Sequence, residues 1–183
     1  MFKIVVTLLL LLSFVVEVEG ASLSKGFEAL EIHDYFKAKT IFYKALKKQS
    51  SAAAYGLSVI YSRNNNPFYN LDSALYYAKV STQSFWKSTS EKQKIKYKEY
   101  KVDTFSVCNQ RDLVDQKCFV FSKEENTIKA YNYFIENNTG AIQIEQAEQN
   151  RNSLVYAKVK RQNVAYLYKG FIDTYPYAKE VPD

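Results

Sequence analysis

Hydrophobic and polar positions recur with the period of an α-helix in the segment that follows the first twenty residues. The apolar positions of one stretch are Tyr35, Ala38, Ile41, Phe42, Ala45 and Leu46. These positions share one face of a helix, which predicts a buried stripe. The polar pair His33 and Asp34 separates this helix from an earlier one that contains Gly26. The pattern predicts two helices joined by a short polar turn.

A second helix pair is predicted from Ser51 onward. The residues that repeat the first-helix pattern are Tyr55, Gly56, Val59 and Ile60. The second helix of this pair follows Asn70 and contains Leu71, Ala74, Ala78 and Ser81. We therefore assign residues 21–86 to two helix pairs.

An asparagine-rich loop over residues 64–69 connects the two helices of the second pair. Asparagine and proline favour turns, because the Asn side chain bonds to nearby backbone and Pro fixes φ. We expect an ordered loop and leave two alternatives for its aromatic residues. Phe68 and Tyr69 are either presented to solvent or folded back onto the core.

A lysine-rich helix is predicted over residues 87–103. Ser88 and Glu91 have the spacing of a capping box, and Ile95 is the main aliphatic residue available to bind the helix to the core. The lysines of interest are Lys92, Lys94, Lys96 and Lys98. They form either a solvated face or a contact with an anionic polymer or lipid.

Residues 104–177 repeat with a period of 37. The shift places Asn126 on Asn163, Tyr131 on Tyr168, Phe134 on Phe171 and Ile135 on Ile172. Each unit is predicted as a long helix, a break at the asparagine, and a shorter helix that ends near Gly140 or Pro176. Residues 178–181 resemble the opening of another unit. We therefore assign residues 104–183 to two repeats and the start of a third.

The first twenty residues have the pattern of a secretory signal peptide. Lys3 precedes an apolar run from Ile4 to Val16, and small residues surround the expected cleavage after Gly20. The alternative is a membrane anchor, although the run is shorter than the roughly 20 residues needed to span a bilayer. We expect an exported protein with no membrane span after cleavage, in the periplasm or associated with the cell envelope.

Composition favours helices and a basic mature protein. The chain of 183 residues has 5 Gly and 3 Pro, where average usage would give roughly 13 and 9. Loss of one Lys and two Glu with the leader changes the formal net charge from +6 to +7. An exported basic protein is expected to meet an anionic envelope component or an acidic partner rather than nucleic acid.

The residues needed for most catalytic or metal sites are scarce. The chain has one His, at position 33, and two Cys, and it contains no phosphate-binding loop or zinc-type cysteine spacing. No catalytic residue, metal or cofactor is therefore assigned. Cys108 and Cys118 would lie about 15 Å apart along one helix, which disfavours a disulfide; a bridge is the alternative.

The first helix pair resembles the tetratricopeptide repeat family. The matching residues are Gly26, Asp34, Tyr35, Ala38, Phe42, Ala45 and Leu46. Residues 168–178 resemble a signature of repeat proteins of the bacterial envelope, including outer-membrane-assembly lipoproteins. With the leader, the whole chain is similar to secreted repeat proteins of the Bacteroidota. The resemblance implies an all-α fold in which antiparallel helix pairs stack into a right-handed superhelix.

The resemblance also implies a function. It suggests an exported, non-catalytic scaffold that binds another protein or a peptide segment in a groove lined by the first helices. The groove positions carried over by register are Phe27, Leu30, Glu31, Leu57, Ile60 and Tyr61. Three alternatives remain: a module that binds the anionic envelope surface, the N-terminal adaptor of a longer envelope protein, and a small enzyme.

Overall fold

The computed structural model describes residues 23–181, and the predicted leader over residues 1–20 lies outside this range. The described residues form helices and contain no strand, which confirms the expected all-α class. The helices are α1 (23–31), α2 (Tyr35–Ala45), α3 (Ser50–Ser62), α4 (Leu71–Lys87), α5 (Glu91–Lys98), α6 (Thr104–Glu125), α7 (Ile128–Asn137), α8 (Ile144–Gln162) and α9 (Ala165–Thr174). Two compact units divide between Val114 and Asp115, within α6.

The first helix pair packs around the ring of Phe42. Phe42 and Ala38 are fully buried on α2. A Cβ added to Gly26 on α1 would lie 2.9 Å from the Phe42 ring, and one added to Gly56 on α3 would lie 2.4 Å from it. Both glycines therefore let their helices approach the ring more closely than any side chain would permit.

The turn between α1 and α2 is formed by the residues the sequence indicated. His33 is exposed and has a φ of 61°, in the left-handed region. Asp34 then caps α2, since its Oδ1 accepts a hydrogen bond from the Lys37 backbone N–H at 3.1 Å. The sole histidine is thus a turn residue.

Small residues allow α3 and α4 to pack closely. Ser51 Oγ donates to the Ser81 carbonyl at 3.2 Å, and Ser81 Oγ donates to the Ser51 carbonyl at 3.0 Å. Ser58 Oγ donates to the Ala74 carbonyl at 3.0 Å. These buried hydroxyls are satisfied by the neighbouring backbone, so they do not weaken the core.

The loop over residues 64–69 is ordered by Asn66. Its Nδ2 donates to the carbonyls of Ile60 and Arg63, and its Oδ1 accepts from the Phe68 backbone N–H. Phe68 is half-buried, with its ring 4.7 Å from that of Phe36 on α2. Tyr69 is 44% exposed. Tyr69 is therefore presented to solvent, whereas Phe68 packs on Phe36 at the surface of α2 and not on the core.

The lysine-rich segment differs from its sequence prediction in two details. The capping box of α5 is formed by Ser90 and Gln93, because Ser88 still belongs to the C-terminus of α4. Ile95 is 67% exposed, and Tyr97, 1% exposed, is the residue that binds α5 to the core. The helix cap lies two residues later than expected, at Ser90 instead of Ser88.

The second unit repeats its local structure every 37 residues. Asn126 and Asn163 break the helices at φ values of 44° and 51°, as the sequence predicted. Phe134 and Phe171, the corresponding aromatics of α7 and α9, are 1% and 4% exposed. Their clusters correspond as well, since Phe119 contacts Phe134 and Tyr156 contacts Phe171, each with 5.4 Å between ring centroids.

Two further expectations concern α6 and the membrane. Cys108 and Cys118 both lie on α6 and are not joined by a disulfide, in agreement with the helical separation argued above. Between residues 23 and 181 no helix has the length and apolar character that crossing a membrane requires.

Candidate partner-binding cleft

A cleft of about 390 Å³ opens in the first unit between α1, α3 and the segment that follows α5. It is lined by Ser24, Phe27, Glu28, Leu30, Glu31, Tyr55, Val59, Arg63, Glu99, Tyr100 and Lys101. We call these residues the α1/α3 cleft. The first helices of the two predicted helix pairs form its two longer walls.

The floor of the α1/α3 cleft is apolar and preformed. Phe27, Leu30 and Val59 are each less than 10% exposed. The Phe27 ring stacks on Tyr100, with centroids 5.4 Å apart and planes inclined by 14°. The Phe27 ring also contacts Phe42 in the core edge-on, with centroids 4.9 Å apart. The floor is therefore continuous with the core and does not need to be assembled when a ligand binds.

Charged residues form the rim. Lys101 Nζ lies 3.2 Å from Glu31 Oε1, and the two side chains are 84% and 67% exposed. An ion pair this exposed contributes roughly 0–1 kcal/mol, so a ligand could replace either partner at little cost. Lys101 has a φ of 59°, which reverses the chain after α5 and directs Val102 into the core.

Tyr55 lies on the α3 wall between a cation and an anion. Burial raises its pKa; the Arg63 guanidinium opposes that shift and Asp103 adds to it. The phenol is therefore neutral near pH 7 and can donate a hydrogen bond. The pKa of Asp103 is lowered, chiefly because its carboxylate accepts the Ser106 backbone N–H at the start of α6. Asp103 is thus ionised at neutral pH.

Arg63 provides a positive charge at the end of the α3 wall. Its Nη1 donates to the Tyr35 hydroxyl at 3.5 Å, a long hydrogen bond. Among residues 23–181 it forms no ion pair. Its guanidinium can therefore accept a carboxylate or a backbone carbonyl from a ligand without first breaking a strong interaction.

The structure brings together only part of the groove expected from the sequence. Phe27, Leu30 and Glu31 line the cleft. Leu57 and Ile60 do not, since both are fully buried in the core. Tyr61 lies outside the cleft as well: its hydroxyl is 2.7 Å from that of Tyr43, and its ring stacks on Tyr77 at 5.7 Å.

The α3 wall is formed instead by Tyr55, Val59 and Arg63. These residues are four apart and share one side of a helix, whereas Leu57 is two positions from Tyr55 and faces the opposite side. The sequence shows the tyrosine, the valine and the arginine at this spacing, but it does not show which side of α3 stays uncovered.

The four lysines of α5 do not share one side of the helix. Lys92 and Lys96 are four residues apart, as are Lys94 and Lys98, but the two pairs are offset by two residues and so lie on opposite sides. Lys94 forms an ion pair with Glu91 at 2.7 Å. A flat anionic surface could therefore contact only one of the two pairs at a time.

A second cleft, of about 350 Å³, lies in the second unit between α8 and residues 174–178. The Arg151 guanidinium lies over the Tyr175 ring, 4.9 Å from its centroid, and also donates to Asn152 Oδ1. Arg151, the main cation of this cleft, is therefore already engaged in these contacts. A ligand would have to displace them, so this cleft is a weaker candidate site than the α1/α3 cleft.

Comparison with known proteins adds no assignment to this geometry. The chain matches no protein-family model, and no curated protein or solved structure shows significant similarity to it. In the part of the chain that the structure describes, no group of three or more His, Cys, Asp or Glu side chains could hold a metal ion.

Proposed function

We propose that this protein is an exported, non-catalytic helical-repeat scaffold that binds a segment of another protein in the α1/α3 cleft. The observation that carries the proposal is the cleft itself, with an apolar floor at Phe27, Leu30 and Val59 and a charged rim. A concave surface of this kind suits an extended segment that inserts one apolar side chain. Export rests on the leader pattern of residues 1–20.

We further propose that the helix pairs are tetratricopeptide-like units stacked into a right-handed superhelix. The close packing of Gly26 and Gly56 on Phe42 supports this for the first unit. The 37-residue correspondence of asparagine breaks and buried phenylalanines supports it for the second. In such a stack the first helices form the binding surface, which agrees with the walls of the cleft.

The apolar floor and the charged rim of the cleft would make different interactions with the partner. An aliphatic or aromatic side chain of the partner would contact Phe27 and Leu30, and its burial would supply most of the free energy. Arg63 and the Tyr55 hydroxyl would bond to carbonyl or carboxylate oxygens of the same segment. Charged residues of the partner would replace the ion pair between Glu31 and Lys101 with contacts of their own. This replacement would favour partners whose charges beside the inserted side chain match the rim.

Site-specific photo-crosslinking in cells of the source organism tests this function. A photoreactive phenylalanine derivative at Tyr55 should join the protein to one defined partner, because Tyr55 lies on the cleft wall. The matched control carries the same derivative at Tyr76, which is 60% exposed on α4 and outside the cleft. Identical products from both positions, or none from Tyr55, would refute binding in the cleft.

Charge reversal provides the second arm of the test. Arg63→Glu should abolish the Tyr55 crosslink, because Arg63 is the cleft cation that forms no ion pair within residues 23–181. Lys92→Glu, on exposed α5 surface, should leave the crosslink unchanged. Equal loss in both variants would indicate a general electrostatic effect rather than recognition in the cleft.

A further inference from the structure

The charges around the α1/α3 cleft differ from those of the chain as a whole. The chain has 25 Lys and Arg against 19 Asp and Glu. The cleft, in contrast, is lined by three carboxylates and two cations, which belong to Glu28, Glu31, Glu99, Arg63 and Lys101. The ion pair between Glu31 and Lys101 cancels one charge of each sign. Within residues 23–181 the other three charged residues of the cleft form no ion pair, so their charges are available to a ligand.

Helices α1 and α3 run side by side along the cleft, and two contacts define their alignment. The Phe27 ring on α1 lies 6.4 Å from the Tyr55 ring on α3, measured between centroids. At the other end, Tyr35 follows the turn after α1 and accepts a hydrogen bond from Arg63 Nη1 at 3.5 Å. Arg63 is eight residues beyond Tyr55, so these two positions are about 12 Å apart along the helix axis. Val59 of the floor lies midway between them.

The two carboxylates outside the ion pair belong to the Phe27 end of the cleft. Glu28 is the neighbour of Phe27 on α1. Glu99 is the neighbour of Tyr100, whose ring stacks on Phe27 at 5.4 Å. Burial raises the pKa of the Tyr100 phenol, and the nearby Glu99 carboxylate raises it further. Since Arg63 stands at the opposite end, the cleft is negative at one end, apolar in the middle and positive at the other.

We propose that the α1/α3 cleft binds an extended segment in which a basic and an acidic side chain, four residues apart, flank an apolar side chain midway between them. The inference rests on the proposed function, because it describes the segment that occupies the same cleft. In an extended chain alternate side chains point the same way, and four residues span about 13 Å. This length matches the separation of about 12 Å between Tyr55 and Arg63. The apolar side chain then lies over the floor at Leu30 and Val59.

Each end of the cleft selects one charge. The basic side chain of the segment faces Glu28 and Glu99, and the acidic side chain pairs with the Arg63 guanidinium. A segment with two basic or two acidic side chains matches one end of the cleft and meets a like charge at the other. The charge pattern therefore decides which apolar segments the cleft accepts.

Photo-crosslinking of synthetic peptides to the purified mature protein tests this polarity. The protein carries the photoreactive phenylalanine derivative at position 55 and is irradiated at low salt with an equimolar mixture of three peptides. Each peptide has a central phenylalanine between two threonines, and the charged residues outside the threonines are Lys and Glu, Lys and Lys, or Glu and Glu. Mass spectrometry should show the Lys/Glu adduct at about threefold or more above each of the others.

Charge-reversed proteins provide the sharper comparison. Arg63→Glu should shift the preference to the Lys/Lys peptide, because both ends of the cleft are then negative. The double variant Glu28→Lys with Glu99→Lys should shift it to the Glu/Glu peptide. The matched control is Glu124→Lys with Glu125→Lys, at exposed positions on α6, and it should keep the preference of the unmodified protein. Circular dichroism checks that every variant keeps its helix content.

The outcomes separate this inference from the proposed function. Equal adducts from the three peptides, another order of preference, or no adduct at millimolar concentration would overturn the polarity of the cleft. An unchanged preference in the Arg63→Glu protein would overturn it as well. These results refute the charge pattern alone if Tyr55 still captures one defined partner in cells. Loss of that cellular crosslink would refute the proposed function instead.

Discussion

The ring of Phe42 occupies the space that a side chain at Gly56 would need. A Cβ on Gly56 would lie 2.4 Å from both Cε2 and Cζ of this ring, well inside van der Waals contact. Helices α2 and α3 therefore meet at a point where one contributes a full aromatic ring and the other only backbone. This contact fixes the distance between the first helix pair and the second.

Gly56→Ala tests this contact. The methyl group would overpack the interface, and we expect a loss of about 1–3 kcal/mol in the free energy of unfolding. Gly170→Ala is the matched control, because Gly170 also lies in a helix but has no heavy atom within 4 Å of an added Cβ. Alanine there should instead stabilise by about 0.5–1 kcal/mol. Urea denaturation followed by circular dichroism measures both changes.

A double variant distinguishes overpacking from a change in helix propensity. Phe42→Leu removes part of the ring, so the combination with Gly56→Ala should cost less than the sum of the two single changes. Strict additivity would show that the two residues do not interact and that the predicted contact is wrong.

The asparagines that break the helices of the second unit give the next prediction. Asn163 has a φ of 51°, which alanine adopts only with strain. Asn163→Ala should therefore destabilise the protein by about 1 kcal/mol, whereas Asn163→Gly should change its stability little. Thermal unfolding of both variants checks this. Equal stability of the alanine and glycine variants would contradict a left-handed residue at this position.

The repeat of the second unit could be predicted from the sequence because the residues that identify it act locally. Asn126 and Asn163 stand where the chain needs a positive φ, and a buried phenylalanine follows each after eight residues. Both features depend on nearby residues, so they recur visibly along the chain. The first helix pair was predictable for a similar reason, since Ala38 and Phe42 follow the helical period.

The cleft wall on α3 was not predictable in the same way. Which side of α3 remains open depends on contacts that are distant in sequence. Gln110 of α6 donates to Ser58 Oγ at 3.0 Å and to Ser62 Oγ at 3.1 Å, so it covers one side of α3 from about fifty residues away. No local pattern in the sequence indicates this contact. Leu57 and Ile60 were therefore placed in the groove although they lie in the core.

Stability should fall at high pH because of Tyr97. Burial raises the pKa of Tyr97 to about 12, above its ordinary value near 10. The folded state then holds a proton that the unfolded state releases between pH 10 and 12. By linkage, the stabilisation is complete below pH 10 and is lost as the pH rises toward 12.

Tyr97→Phe tests the assignment of this effect. The variant should lose less stability than the unmodified protein between pH 9 and pH 11.5, because it lacks the Tyr97 phenol, whose pKa is raised in the folded state. Urea unfolding at several pH values measures the difference. Part of the pH dependence should persist, since burial also raises the pKa of Tyr55 and Tyr100. Parallel curves for the two proteins would show that Tyr97 titrates normally.

The lysines of α5 separate the two proposed modes of binding. Replacing Lys92, Lys94, Lys96 and Lys98 with Gln removes four charges but leaves the α1/α3 cleft intact, since none of them lines it. If the cleft binds the partner, the Tyr55 crosslink should survive this replacement and should persist at high salt. Solvated charges affect mainly the rate of encounter.

An anionic envelope surface would give the opposite result. Each lysine near anionic lipid contributes about 1 kcal/mol, so the quadruple variant would lose retention on anionic vesicles, and 1 M salt would release the unmodified protein. We expect weak retention even without substitution, because Lys92 and Lys96 lie on the side of α5 opposite Lys94 and Lys98. Vesicle co-sedimentation with and without anionic lipid measures this. Tight, salt-sensitive retention that the Gln variant abolishes would favour the envelope surface over the cleft.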